Sequence, residues 1–151
     1  MLEWLSGINE SSIDGKSRVV IPQDFREFLG AEVYLTLSRD GCLRVYSDSD
    51  YRKLYENIMA LKAEKAADIN TNGLVYYYIK SVWHLKFDAS GRICIPPQAR
   101  RFLGMSVEDK NLLVVGSVDR AEIWMPDEYF GQDEKYHNEE FDTAARLCGA
   151  D

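Results

Sequence analysis

Two arginines in this chain stand at the same distance behind an aspartate. Asp14 and Arg18 bracket "DGKSR", and Asp88 and Arg92 bracket "DASGR". An arginine fork can read the O6 and N7 edge of a guanine or clamp a phosphate, and Lys16 adds a point charge suited to phosphate. Gly15, Ser17, Ser90 and Gly91 are small, so a nucleic-acid groove could come close to the backbone there. Asp14 and Asp88 cannot meet phosphate favourably. They are expected to hold the turn or to pre-orient the arginine through a carboxylate pair. The same residues also fit a surface ion pair that only pins a turn. On these residues alone both readings stand.

The elements around the two stretches repeat as well. A shift of 74 aligns Asp14/Asp88, Arg18/Arg92, Ile21/Ile95, Pro22/Pro96, Arg26/Arg100, Phe28/Phe102, Leu29/Leu103 and Gly30/Gly104. After a short insertion around "EDKN" the likeness resumes at a shift of 78, with Leu35/Leu113, Val45/Ile123, Tyr46/Trp124 and Tyr51/Tyr129. This is an internal duplication. Each copy reads as a turn, a short β-branched strand, a short helix opened by proline and stopped by glycine, and a hairpin, across "RDG" in the first copy and "VDR" in the second. Asp48 to about Ile69 reads as a helix that "NTNG" ends, and "LVYYYIKSVWHLKF" as a long aromatic strand region. The expected organisation is a first repeat over 5–52, a helical connector over 53–73, a second repeat over 74–130 and an acidic C-terminal tail over 131–151. Neither copy has enough strands to bury its own core, so the two should interlock, and unpaired edges invite further subunits.

Net charge is −7 over 151 residues. Residues 127 to 151 hold eight acids against Lys135 and Arg146, so this segment carries −6 and the rest only −1. The body can therefore present local basic patches. No apolar run approaches the ~20 residues of a membrane span, and "MLEWLSGINE" lacks the basic start and apolar core of a signal peptide. Cys42, Cys94 and Cys148 fit neither a disulfide framework nor a zinc site, which suits a reduced cytoplasmic interior. Arg26, Arg100 and Arg101 on the short helices read equally well as solvated or interface charges and as DNA contacts. Tyr76, Tyr77, Tyr78 and Trp83 read as core or interface aromatics rather than base-stacking platforms. His84 and His137 have no ligand spacing, and Glu139 and Glu140 lie in a charged segment with no implied pocket. No catalytic residue, metal, cofactor or small-molecule substrate is expected.

"IDGKSRVVIPQDFR" and "FDASGRICIPPQARRFLG" resemble the paired Asp-x-x-x-Arg elements of the MraZ family, and "DGCLRVY" and "VDRAEIW" resemble its other habitual stretches. The likeness covers roughly residues 5 to 130. Ser17 stands where that family usually has glycine, and Ala89 where a polar residue is common. The resemblance implies a mainly β protein with short helices (α+β), in which two tandem AbrB-like modules form a pseudo-dimeric swapped-hairpin, double-psi-like β barrel. It implies a sequence-specific, nucleoid-associated DNA-binding regulator, a repressor of the bacterial cell-division and cell-wall gene cluster. Its partners would be double-stranded DNA carrying short direct repeats in a promoter, and further copies of itself in a ring. Lys16, Arg18 and Arg92 would contact DNA, with Gly15, Ser17, Ser90 and Gly91 beside them. The alternatives are an oligomeric interaction module on the same barrel that binds no DNA, and an enzyme whose reactive residue does not show itself in the sequence.

Overall fold

Each copy folds into the order its sequence suggests. The computed structural model describes residues 2–65 and 68–151. β1 (Ile8–Ser12) and β2 (Arg18–Val20) lead into α1 (Gln23–Leu29) and the hairpin β3 (Glu32–Leu37) and β4 (Leu43–Ser47). α2 (Asp48–Glu64), α3 (Ile69–Val75) and one wide π-helical turn over Tyr76–Lys80 then reach β5 (Val82–Lys86). The second copy follows as β6 (Arg92–Cys94), α4 (Pro97–Phe102), β7 (Asn111–Ser117) and β8 (Arg120–Trp124). α5 (Pro126–Gly131), a 3-10 turn over Gln132–Tyr136 and α6 (Glu139–Cys148) end the chain, so the acidic segment carries helical structure.

α2, α3 and α6 start where a side chain accepts from a first-turn N–H group. Ser47 Oγ accepts from Asp50 N at 3.2 Å, with Asp48 and Asp50 in the first turn of α2. Asp68 Oδ1 accepts from Asn70 N at 2.7 Å and opens α3. That cap overrides the turn chemistry of "NTNG", which lies inside a helix and does not end one. Residues 66 and 67, within the expected helix, lie outside the described residues. The aromatic run also departs from its expected strand: Leu74 to Lys80 is helical, and only Val82–Lys86 extends. Packing outweighs the β preference of tyrosine here. Tyr78 is buried and its carbonyl accepts from Tyr51 Oη at 2.7 Å, while Tyr77 lies against the main core.

Six strands form one antiparallel sheet in the order β1-β7-β8-β4-β3-β5, and β2 and β6 form a separate two-stranded ladder. The modules are thus tandem and mainly β with short helices, but the sheet does not close into the expected barrel. β1 pairs with β7 and β5 with β3, while the three-residue strands β2 and β6 pair with each other instead of bridging those edges. The order is symmetric about the β8–β4 pair, with β5 standing where the second copy needs its β1. One core lies beneath, drawn from both copies: Val33, Leu35, Leu43 and Val45 with Leu112, Val114, Ala121 and Ile123, and Phe25 and Leu29 with Ala99 and Leu103. Among the described residues no helix is long and apolar enough to cross a membrane.

Candidate functional site

The two Asp-x-x-x-Arg stretches fold into the same turn, bond for bond. In the first, Asp14 Oδ1 accepts from the backbone N–H of Lys16 and of Arg18, each at 2.9 Å, and Oδ2 accepts from Arg18 Nε at 2.7 Å. In the second, Asp88 Oδ1 accepts from Ser90 N and Arg92 N at 2.9 Å, and Oδ2 from Arg92 Nε at 2.9 Å. Each carboxylate therefore closes its turn and steers its arginine, which joins the two roles considered from sequence. Nε is committed to the carboxylate, and the far ends of the Arg18 fork make no hydrogen bond among the described residues. The Arg18 and Arg92 side chains are 31% and 28% exposed, so each stays partly open to solvent. Lys16 and Gly15 are exposed at the tip of the first turn, and Ser90 at that of the second. Asp14 is held below the usual carboxylate range chiefly by the Arg18 backbone N–H, and Asp88 likewise by that of Arg92.

β2 and β6 bring the turns together. Arg18 pairs with Cys94, Val19 with Ile93 and Val20 with Arg92. Ile95 N donates to Ser17 O at 2.7 Å and Ile21 N to Gly91 O at 3.1 Å, which ties each turn to the other copy's strand. One contact breaks the symmetry: Arg92 Nη1 also lies 3.7 Å from Asp14 Oδ2, so Asp14 faces both arginines.

The helix arginines complete the construction by crossing between copies. Arg26 Nε donates to Ile21 O at 2.9 Å, and its guanidinium lies so close to Gly91 that a Cβ there would sit 2.4 Å from Cζ. The space beside Gly91 is thus filled by protein, and Gly91 is buried. Its counterpart Ser17 keeps a side chain at a φ of 61°, and Arg100 Nη1 donates to its hydroxyl at 3.3 Å. Sequence left Arg26 and Arg100 undecided between surface charge and DNA contact, and the structure makes both of them braces for the opposite turn. The signal lay in their occupying one equivalent position in the duplication.

The remaining candidates stay away from this face. Tyr77 and Trp83 pack against the main core, and Tyr76 is exposed. His84 meets Glu32 at 3.1 Å and His137 meets Asp133 at 2.9 Å. Among the described residues no group of three or more His, Cys, Asp or Glu could hold a metal ion.

The duplicated cassette lies within a match to a known family. The family model described as "MraZ protein, putative antitoxin-like" matches residues 4–72 and 83–149. The chain belongs to the MraZ family. Relatives named Transcriptional regulator MraZ include that of Lachnoclostridium phytofermentans, 33% identical over 112 residues and 74% of each chain. That of Thermus thermophilus is 30% identical over 124 residues, covering 82% of this chain and 83% of its own. That of Pediococcus pentosaceus is 34% identical over 115 residues and 76% of each chain. The MraZ match continues to residue 149, past the end of the motif resemblance, so α5 and α6 fall within it. It omits residues 73–82, the stretch that folds as the end of α3 and the π-helical turn.

Proposed function

We propose that this MraZ-family protein is a sequence-specific DNA-binding transcription regulator, acting as a repressor at short direct repeats in a promoter. The observation that carries this reading is the pairing of two arginine-bearing turns on one ladder, each locked by its aspartate, with Lys16 exposed beside them. Recognition benefits from such fixing, because a preorganised fork loses less freedom when it meets a base or phosphate. The shared name of the relatives supports the regulatory class. In this reading Arg18 and Arg92 contact base edges or phosphates, Lys16 neutralises phosphate, and exposed Gly15 and Ser90 let the groove approach. Ser17 and Gly91 act through turn shape, and Asp14 and Asp88 orient the arginines. The family resemblance extends the proposal to the cell-division and cell-wall gene cluster, to a ring of copies and to a cytoplasmic, nucleoid-associated protein.

The test is Arg18→Ala in the full chain, with binding to promoter repeats measured across a salt series. Loss of a bidentate base contact costs about 1–3 kcal/mol at one site, and a ring multiplies the loss through effective concentration. Binding should collapse while fold and assembly persist. Arg18→Lys should rescue little if the fork reads a base, and Arg92→Ala places the second turn on the same scale. Variant rings that bind as tightly as the parent at every salt concentration would rule the reading out.

A further inference from the structure

The central strand pair holds a feature that the DNA-binding reading does not use. β4 and β8 pair antiparallel with Leu43 opposite Ile123, Arg44 opposite Glu122 and Val45 opposite Ala121. The duplication shift of 78 makes Glu122 the repeat counterpart of Arg44. At this one pair of the β4–β8 ladder a position therefore faces its own counterpart, and the pseudo-twofold axis runs between the two side chains. The axis crosses the β2–β6 ladder in the same way at Val19 and Ile93, which are counterparts at the shift of 74. That second crossing is apolar and would accept either copy against either copy. The first would not.

Arg44 and Glu122 lie 3.8 Å apart with side chains only 15% and 11% exposed. Arg44 is flanked by Asp40 at 3.0 Å, the Tyr46 hydroxyl at 3.4 Å and the Tyr78 ring at 5.2 Å. Glu122 accepts from Trp124 Nε1 at 3.0 Å and Arg120 Nε at 3.4 Å. Were β4 of one chain to pair with β4 of another about the same axis, two arginines would meet in this half-dry slot. A β8–β8 pair would oppose two glutamates. Like charges directly across an antiparallel pair destabilise it, and more so away from water.

We propose that Arg44 and Glu122 form a pairing code, which restricts the first copy to the second and excludes symmetric self-pairing between chains. Duplication makes this possible, because an undivided homodimer would carry the same residue on both sides of its axis. A chain whose copies cannot trade places has a direction, which suits head-to-tail assembly along direct repeats. This last consequence rests on the proposed DNA reading, whereas the pairing code does not.

Thermal unfolding of three full-length variants tests the code without DNA, so its failure and a failure of DNA binding are separate results. Glu122→Gln keeps an acceptor for Trp124 and removes only the charge, and its melting temperature should fall by a few degrees. Glu122→Arg sets arginine against arginine and should melt roughly 10 °C lower still, or yield no folded protein. Adding Arg44→Glu to Glu122→Arg restores opposite charges and should recover part of that loss in melting temperature or folded yield. Full recovery is not expected, since Arg120 and Asp40 would then face like charges. Equal melting with glutamine and arginine at position 122 overturns the proposal, as does a double variant no better than Glu122→Arg.

Discussion

Gly91→Ala separates the cross-repeat brace from ordinary packing. Gly91 has a φ of 75°, a left-handed conformation that costs alanine roughly 1–2 kcal/mol. Reduced freedom of the unfolded alanine chain returns about 0.4–1 kcal/mol of that. The larger cost is steric: the new Cβ would sit 2.4 Å from Arg26 Cζ and 2.6 Å from Nε. The guanidinium must move, and its 2.9 Å bond to the Ile21 carbonyl goes with it. A hydrogen bond to a charged group contributes about 1.5–3 kcal/mol. The total loss is about 2–4 kcal/mol, which lowers the melting temperature of a chain this size by roughly 5–15 °C. Differential scanning calorimetry on the parent, Gly91→Ala, Arg26→Ala and the double variant completes a thermodynamic cycle. With Arg26 gone, Gly91→Ala should cost only the backbone component, about 1 kcal/mol. An equal cost with and without Arg26 would show that the guanidinium is not the obstacle. Ser17→Gly at the equivalent position is the control and should change stability by less than about 1 kcal/mol, since it exchanges a strained φ of 61° for the 3.3 Å contact with Arg100.

Acid titration should leave both Asp-x-x-x-Arg turns closed at pH 5 and open them only below about pH 4. The reason is that a carboxylate with a lowered folded pKa stabilises fully above its unfolded value of about 3.9 and loses this as pH falls through the lower one. Carboxyl-carbon NMR reads the midpoints, and values above 4.5 would contradict the geometry. At pH 8 iodoacetamide should label exposed Cys94 and Cys148 and spare Cys42, whose thiol burial pushes up to about 12, as mass spectrometry of the native protein would show. Val118→Gly should raise the melting temperature by a few degrees, because a β-branched residue holds a φ of 66° in the β7–β8 turn. Truncation after Tyr129, which keeps that ring 5.6 Å from Trp124, should raise affinity for random DNA at low salt and have no effect at high salt.

The cassette and its duplication were legible because their chemistry is local. Asp14 needs only Lys16 and Arg18, within four positions, to close its turn, and Asp88 needs only Ser90 and Arg92. The aromatic stretch was not legible, because residues distant in sequence decide it. Tyr51 reaches the Tyr78 carbonyl across 27 positions and secures a helical turn that tyrosine preference alone would not choose. The correspondence of β5 to β1 was not legible for a related reason. "VWHLK" occupies the second copy's version of the β1 place, 74 positions after "INESS", yet the two share no residue. Strand pairing fixes backbone direction and leaves side chains free to differ, so symmetry survives there in the sheet order alone.

Two differences between the copies fall where the copies touch. Position 17 is serine and position 91 glycine because Arg100 stands off the first turn while Arg26 fills the space beside the second. Asp14 lies near both arginines, and Arg92 at 3.7 Å is its second neighbour, so the paired turns carry unequal electrostatic fields. Arg44 and Glu122 are opposite in charge where the axis brings them together. A duplicated chain under no pressure to tell its halves apart could keep the same residue at positions 17 and 91, and at 44 and 122. Gly91 instead leaves the room that Arg26 fills, and Arg44 meets an opposite charge across the axis. In the proposed DNA-binding reading, this asymmetry gives the pair of arginine turns a left and a right, which would let them read a DNA repeat in one direction.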